Sequence, residues 1–128
     1  MISLILIILS GACKAVIDTC LFHHDQSIFK GKQFFNSDQS WKLKYKNGDK
    51  AQGDRFFLSS TLFVFCTDSF HLFGMINSFL ICVAIVLYSP ITPIKIKVLS
   101  ILVDFLIIKI ANQLVFHAFY TWIFVKGK

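Results

Sequence analysis

The chain is predicted to be an all-α membrane protein: three transmembrane helices with a long basic, aromatic interfacial loop between the first two. Three observations lead there. Apolar residues make up 55% of the 128, above the share of ordinary soluble domains, and mean hydropathy is positive. They are gathered into three runs, each long enough to cross a hydrocarbon core of about 30 Å as a helix. The formal net charge of +6 is carried mostly by lysines in one polar segment and at the C-terminus. One membrane domain, 1–128, follows. This charge pattern suits anionic lipid headgroups and topology signals. No nucleic-acid-binding motif is present, so the lipid bilayer and not nucleic acid is the expected partner.

Helix one is expected over about 2–24. Residues 2–9 are almost purely aliphatic, and the apolar character resumes through Val16, Ile17, Leu21 and Phe22. A cleaved leader is the rival reading, because Leu9-Ser10-Gly11-Ala12-Cys13 loosely resembles a lipoprotein cleavage site. The lack of Lys or Arg ahead of the aliphatic run and the resumed apolar stretch favour a spanning helix. Ser10, Lys14 and Asp18 recur every four residues and form a polar stripe. Beside it, Gly11, Ala15 and Thr19 form a small-residue stripe that lets helices approach closely. Asp18 is a candidate catalytic acid, or simply the ion-pair partner of Lys14.

The cytoplasmic loop is expected over 25–58. In Trp41-Lys42-Leu43-Lys44-Tyr45-Lys46, apolar and basic residues alternate. On an extended chain this puts the aromatics on one side and the lysines on the other. Trp41, Lys42, Lys44, Tyr45 and Lys46 are therefore the expected lipid-headgroup contacts. Asn47-Gly48 reads as a tight turn, with no second alternating strand to complete a hairpin.

The second apolar run, Phe56 to Tyr88, is too long for one perpendicular span. Helix two is expected over about 60–88, with Ser59, Ser60 or Thr61 as cap. Ser89-Pro90-Ile91-Thr92-Pro93 ends it and reverses the chain. Helix three is expected over about 97–125, with Lys109, Gln113 and His117 at helical spacing. All four cysteines lie in apolar stretches without a CxxC pair, which points to reduced, buried thiols.

Lys and Arg counts orient the chain. Seven lie in the long loop and two in the C-terminal tail, against two in the Pro turn and none ahead of helix one. The protein is thus expected to be multi-pass, with the N-terminus outside and the long loop and C-terminus cytoplasmic. In that frame Asp68 and His117 each lie eight residues, roughly 12 Å, from the cytoplasmic face. Asp18, His23 and His24 lie near the same height. An Asp/His layer between three helices is expected, and ionisable groups at that depth are functional candidates.

Imidazoles and carboxylates are ligands for Zn, Fe or Mn. His23, His24, Asp68, His71 and His117 are the candidate ligands of a divalent transition metal, with Asp18 and Asp68 as candidate catalytic acids or bases. Beside a basic interfacial loop, the substrate would be a lipid or lipid-phosphate. This chemistry resembles that of polytopic metal hydrolases such as the alkaline ceramidase and adiponectin-receptor group. The alternatives are non-enzymatic: interhelical hydrogen-bond glue, a proton or ion relay, or a holin-like oligomer. Three spans with an outside N-terminus and a basic cytoplasmic tail resemble one class of phage holins, which implies a homo-oligomer. Residues 40–49, S-W-K-L-K-Y-K-N-G-D, and Thr67-Asp68-Ser69-Phe70-His71 resemble uncharacterised small bacterial and phage integral membrane proteins, a resemblance that implies no activity.

Overall fold

The first apolar run forms α1 (Ile2–Phe22), and its small residues decide how the others pack. At Gly11 a side-chain Cβ would lie 2.7 Å from the backbone oxygen of Asn112, so only glycine permits this helix crossing. Asn112 Nδ2 donates to Ile7 O at 2.6 Å and lies 3.1 Å from Ser10 Oγ. An amide in an apolar interface thus has its hydrogen bonds met across helices. Residues 2–92 and 94–125 are described in this computed structural model. Among them the regular structure is helical, apart from isolated bridges at Ser27–Val125 and Tyr45–Asp54.

Three helices are long and apolar enough to cross a membrane: α1, α3 (Ser69–Val86), and α4 (Lys97–His117) with its continuation. Helix α1 is the middle member, packing on α3 and α4, which barely touch each other. It is accordingly the most buried of the three. Asn112 meets Ile7, and Tyr120 meets His23, so α1 and α4 run in the same direction. Ser69 meets Cys20 and Ile81 shares a cavity with Ile7, so α3 runs the opposite way.

Past His117, α4 widens into a π-helical segment, Ala118–Phe124. The loop is stitched to its end. Ile28 N donates to Phe124 O at 2.9 Å, and Phe29 stacks on Phe35 and packs against Phe124. With Ala15, Val16 and Cys20 these rings form the core cluster, which lies at the loop end of the bundle.

Helix two differs from expectation. It starts at Ser69, not near Ser60, and ends at Val86. Residues 57–67 are turns around a short 3₁₀ helix, Val64–Cys66, with Leu58 in the left-handed region at φ +53°. The cap is Asp68, not Ser59, Ser60 or Thr61. A carboxylate in extended conformation is a strong N-cap, and shortening the run to 18 residues resolves its excess length for one span. Asp68 therefore begins the helix and is not eight residues inside it. Where helix one is expected over about 2–24 the helix is Ile2–Phe22, and where helix three is expected over about 97–125 it is Lys97–His117 with the π-helical continuation Ala118–Phe124.

Trp41 to Lys46 is not extended either. Asn36 caps a short helix, α2 (Ser37–Ser40), and the chain continues through a 3₁₀ turn, Trp41–Lys44. The lysines are thereby divided. Lys42 lies over the Trp41 ring and lines a cavity with Arg55, whereas Lys44 lines a different one with Asp68. Asn47 and Gly48 form the expected turn, both with positive φ, which suits Asn and Gly. A single bridge, Tyr45–Asp54, follows it. All four cysteines are free; Cys13 and Cys20 are buried, but Cys66 and Cys82 are exposed.

At the opposite end, Asp104 is buried and accepts from Tyr88 Oη (2.9 Å), Ile91 N (2.8 Å) and Thr92 N (3.0 Å). It folds the Pro turn back onto α4. The hydrogen bond to Asp104, then burial and the carboxylate's charge, raises the Tyr88 phenol above its ordinary pKa. A folded-state pKa raised above the unfolded one stabilises the fold fully below the unfolded value, about 10 for tyrosine. That contribution is lost as pH rises through the folded pKa. In a variant with Tyr45 and Tyr120 changed to Phe, alkaline absorbance titration should find a phenolate forming above the ordinary range. Asp104→Asn should bring it back down. An unshifted midpoint in the parent would contradict the Tyr88–Asp104 bond.

Candidate functional site at the start of α3

Asp68 combines burial with donors from its own helix. It is 2% exposed. Its Oδ1 accepts from the His71 backbone N–H at 2.9 Å, the N-cap bond. Both carboxylate oxygens lie within reach of His71 Nδ1, at 2.7 and 2.8 Å. Thr67 Oγ1 lies 3.2 Å from Oδ2. The three-residue spacing that suggested a shared helix face instead brings the imidazole back over its own cap. An ionised carboxylate only accepts, so Nδ1 carries the proton in this pair and the Nε2 of a neutral ring is left as an acceptor. The His71 side chain is 36% exposed.

Three other segments meet this pair. Ser69 Oγ donates to Cys20 Sγ at 3.4 Å, joining α3 to the end of α1. Ser37 Oγ donates to Cys20 O at 3.2 Å, joining α2 to the same point. Ser59 Oγ donates to Lys44 O at 2.6 Å and fixes the 3₁₀ turn. Beside them lies an open cavity of about 150 Å³, lined by Asp68 and His71 with Leu21, Ser37, Ser40, Trp41, Lys44 and Phe70. An oriented imidazole, two hydroxyl side chains, a cation and an indole thus share one space near the end of the bundle.

The remaining candidates do not join them. Asp18 is ion-paired with Lys14. His23 packs edge-on against Tyr120, His24 Nδ1 lies 3.2 Å from Asp25 Oδ1, and exposed His117 Nε2 lies 3.2 Å from Gln113 Nε2. The expected layer is thus separate local pairs. Among the described residues no group of three or more His, Cys or Asp side chains is placed to hold a metal ion. Of the expected headgroup residues, Trp41 and Lys44 line the Asp68–His71 cavity, Lys42 and Tyr45 line the cavity with Arg55, and exposed Lys46 lines neither. Ser37 and Ser40 were not among the expected site residues. The signal for them is the Asn36-Ser37-Asp38 cap, which starts α2 and turns both serines inward.

No protein-family model matches the chain, and neither a curated protein nor a solved structure is significantly similar to it.

The geometry separates the two roles of Asp68. The cap bond comes from the His71 backbone, so His71→Ala preserves it. Asp68→Ala removes both the cap and the ring's partner. Thermal unfolding in detergent should find Asp68→Ala destabilised by about 1–3 kcal/mol and His71→Ala by less than about 1 kcal/mol. Equal losses would mean that the imidazole contact, and not the cap, holds this end of α3.

Proposed function

We propose that the protein is a multi-pass integral membrane protein with a general-base dyad, Asp68–His71, that acts on a lipid or lipid-phosphate at the cytoplasmic face. The observation that carries this reading is the carboxylate-held imidazole lining a cavity with Lys44 and Trp41. Asp68 fixes the tautomer and stabilises the imidazolium that forms when Nε2 accepts a proton. The proton comes from water or from a hydroxyl such as Ser37 or Ser40. Lys44 balances a phosphate or a developing oxyanion, and Trp41 supplies an amphipathic surface at headgroup level. A divalent metal would find two ligands here, Asp68 and His71, fewer than the three protein ligands of a catalytic zinc site. The reaction we favour therefore runs through the dyad itself.

A second reading has its own support. Asp68 caps α3, and Ser69 ties that helix to Cys20, which is enough for a purely structural cluster. Catalysis separates the two. Detergent-solubilised protein given short-chain phosphatidate should release fatty acid or phosphate. His71→Ala should lower kcat by about 10²- to 10⁴-fold while its unfolding midpoint stays near that of the parent. Lys44→Ala should raise KM more than it lowers kcat. Turnover by His71→Ala at the parental rate would leave only the structural role.

The proposed orientation puts the long loop and C-terminus in the cytoplasm, because that side has the excess of Lys and Arg. In a cysteine-free background, Asp49→Cys should resist a membrane-impermeant maleimide in intact cells, and Ser89→Cys should react. The reverse pattern would invert the topology and move the dyad to the outer face.

A further inference from the structure

Lys42 and Arg55 are two cations of the long loop that line one cavity with no acid in its wall. The cavity, about 360 Å³ and open to the surface, is lined also by Gln33, Tyr45, Asn47 and Gly48. Both cations are exposed. Among the described residues the ion pairs are Lys14–Asp18, His24–Asp25 and His71–Asp68, so neither Lys42 nor Arg55 has a carboxylate partner. The acids close to them in sequence are held by other groups. Asp49 accepts from Ala51 N at 2.9 Å and from Gln52 Nε2 at 3.3 Å, and Asp54 Oδ2 lies 3.4 Å from Ser60 N.

The fold brings the two cations together from either side of one turn. Lys46 N donates to Gly53 O at 3.0 Å and Arg55 N to Lys44 O at 2.9 Å, closing the chain on itself around Asn47-Gly48. Gly48 has φ +76°, and a Cβ there would lie 3.4 Å from Lys42 Cβ, so the Lys42 stem lies against the turn. Lys42 Nζ is 5.9 Å from the centre of the Trp41 ring, within the range of a cation–π contact. Arginine offers a planar fork of donors to two oxygens of one anion, and lysine adds a compact point charge. A phosphomonoester, with about −1.5 to −2 charge at pH 7, can use both cations; a phosphodiester has a single charge to share between them.

We propose that this cavity binds a phosphomonoester, with Lys42 and Arg55 as its charged contacts. The amides of Gln33 and Asn47 and the Tyr45 hydroxyl supply neutral hydrogen-bonding groups for the rest of the ligand's polar surface. The site shares no lining residue with the Asp68–His71 cavity and does not depend on the dyad. It discriminates by charge, favouring a monoester over a diester of the same acyl chains.

Binding of dihexanoyl phosphatidate and dihexanoyl phosphatidylglycerol to the detergent-solubilised full chain tests this directly. The monoester should bind about three- to tenfold more tightly. Lys42→Ala/Arg55→Ala should abolish the preference, and Arg55→Lys, which keeps the charge but not the fork, should keep part of it. Lys44→Ala and His71→Ala, which alter the other cavity, should leave the preference intact whether or not the dyad turns over substrate. Loss of the preference in Lys44→Ala but not in Lys42→Ala/Arg55→Ala would place the phosphate in the dyad cavity and overturn the proposal. Competition by glycerol 3-phosphate would support the site as one for a soluble phosphomonoester, and lipid binding without such competition would support it as a lipid site. Equal binding of the two lipids by the parent, or no binding of either, would also overturn the proposal, and this comparison stands even if a variant fails to fold.

Discussion

A carboxylate at the end of an apolar helix must find donors, and Asp68 finds them in the helix that it starts. By accepting from the His71 backbone it satisfies one of the unpaired N–H groups that every helix start leaves open. The same carboxylate holds the His71 ring. One group therefore sets where α3 begins, how long its span is, and which nitrogen of the imidazole is free. Cys20 adds the tertiary link, as the partner of Ser69 through sulfur and of Ser37 through its carbonyl. Without that start for α3, α2 and Lys44 would have no common wall with the imidazole.

Asp104 applies the same physics at the other end. It is buried in a long apolar helix but accepts three hydrogen bonds from Tyr88 and the Pro turn. A buried acid made tolerable by backbone donors closes a turn as firmly as it caps a helix. The two acids thus finish opposite ends of the bundle, and only Asp68 has an imidazole beside it. This asymmetry is why chemistry is assigned to the loop end and a structural role to the turn end.

Helix α1 makes the arrangement possible. With α3 and α4 barely in contact, the bundle is held through the middle helix, and its small residues bear the closest approaches. Helices α3 and α4 carry large exposed apolar side chains, Phe79, Ile85 and Leu102 among them, a surface compatible with hydrocarbon. The aromatic cluster at the loop end fills the space where the helices end, so the loop is packed against the bundle and can present fixed cavities.

How much was legible in the sequence follows from the range of each interaction. Three apolar runs, the Pro turn and the Asn47-Gly48 turn depend on composition and near neighbours, and the sequence by itself determined them. Asp68 and His71 were also marked as a pair, because three residues on a helix is a local distance. Tertiary structure alone decided that Asp68 is the first cap and not a mid-helix acid, since cap strength competes with run length in a way hydropathy does not record. It also decided that Asp18, His23, His24 and His117 do not converge on the Asp68–His71 pair: equal depth on different helices does not give equal azimuth. The division of Lys42 from Lys44 has the same origin, because a 3₁₀ turn repeats every three residues where a strand alternates every two.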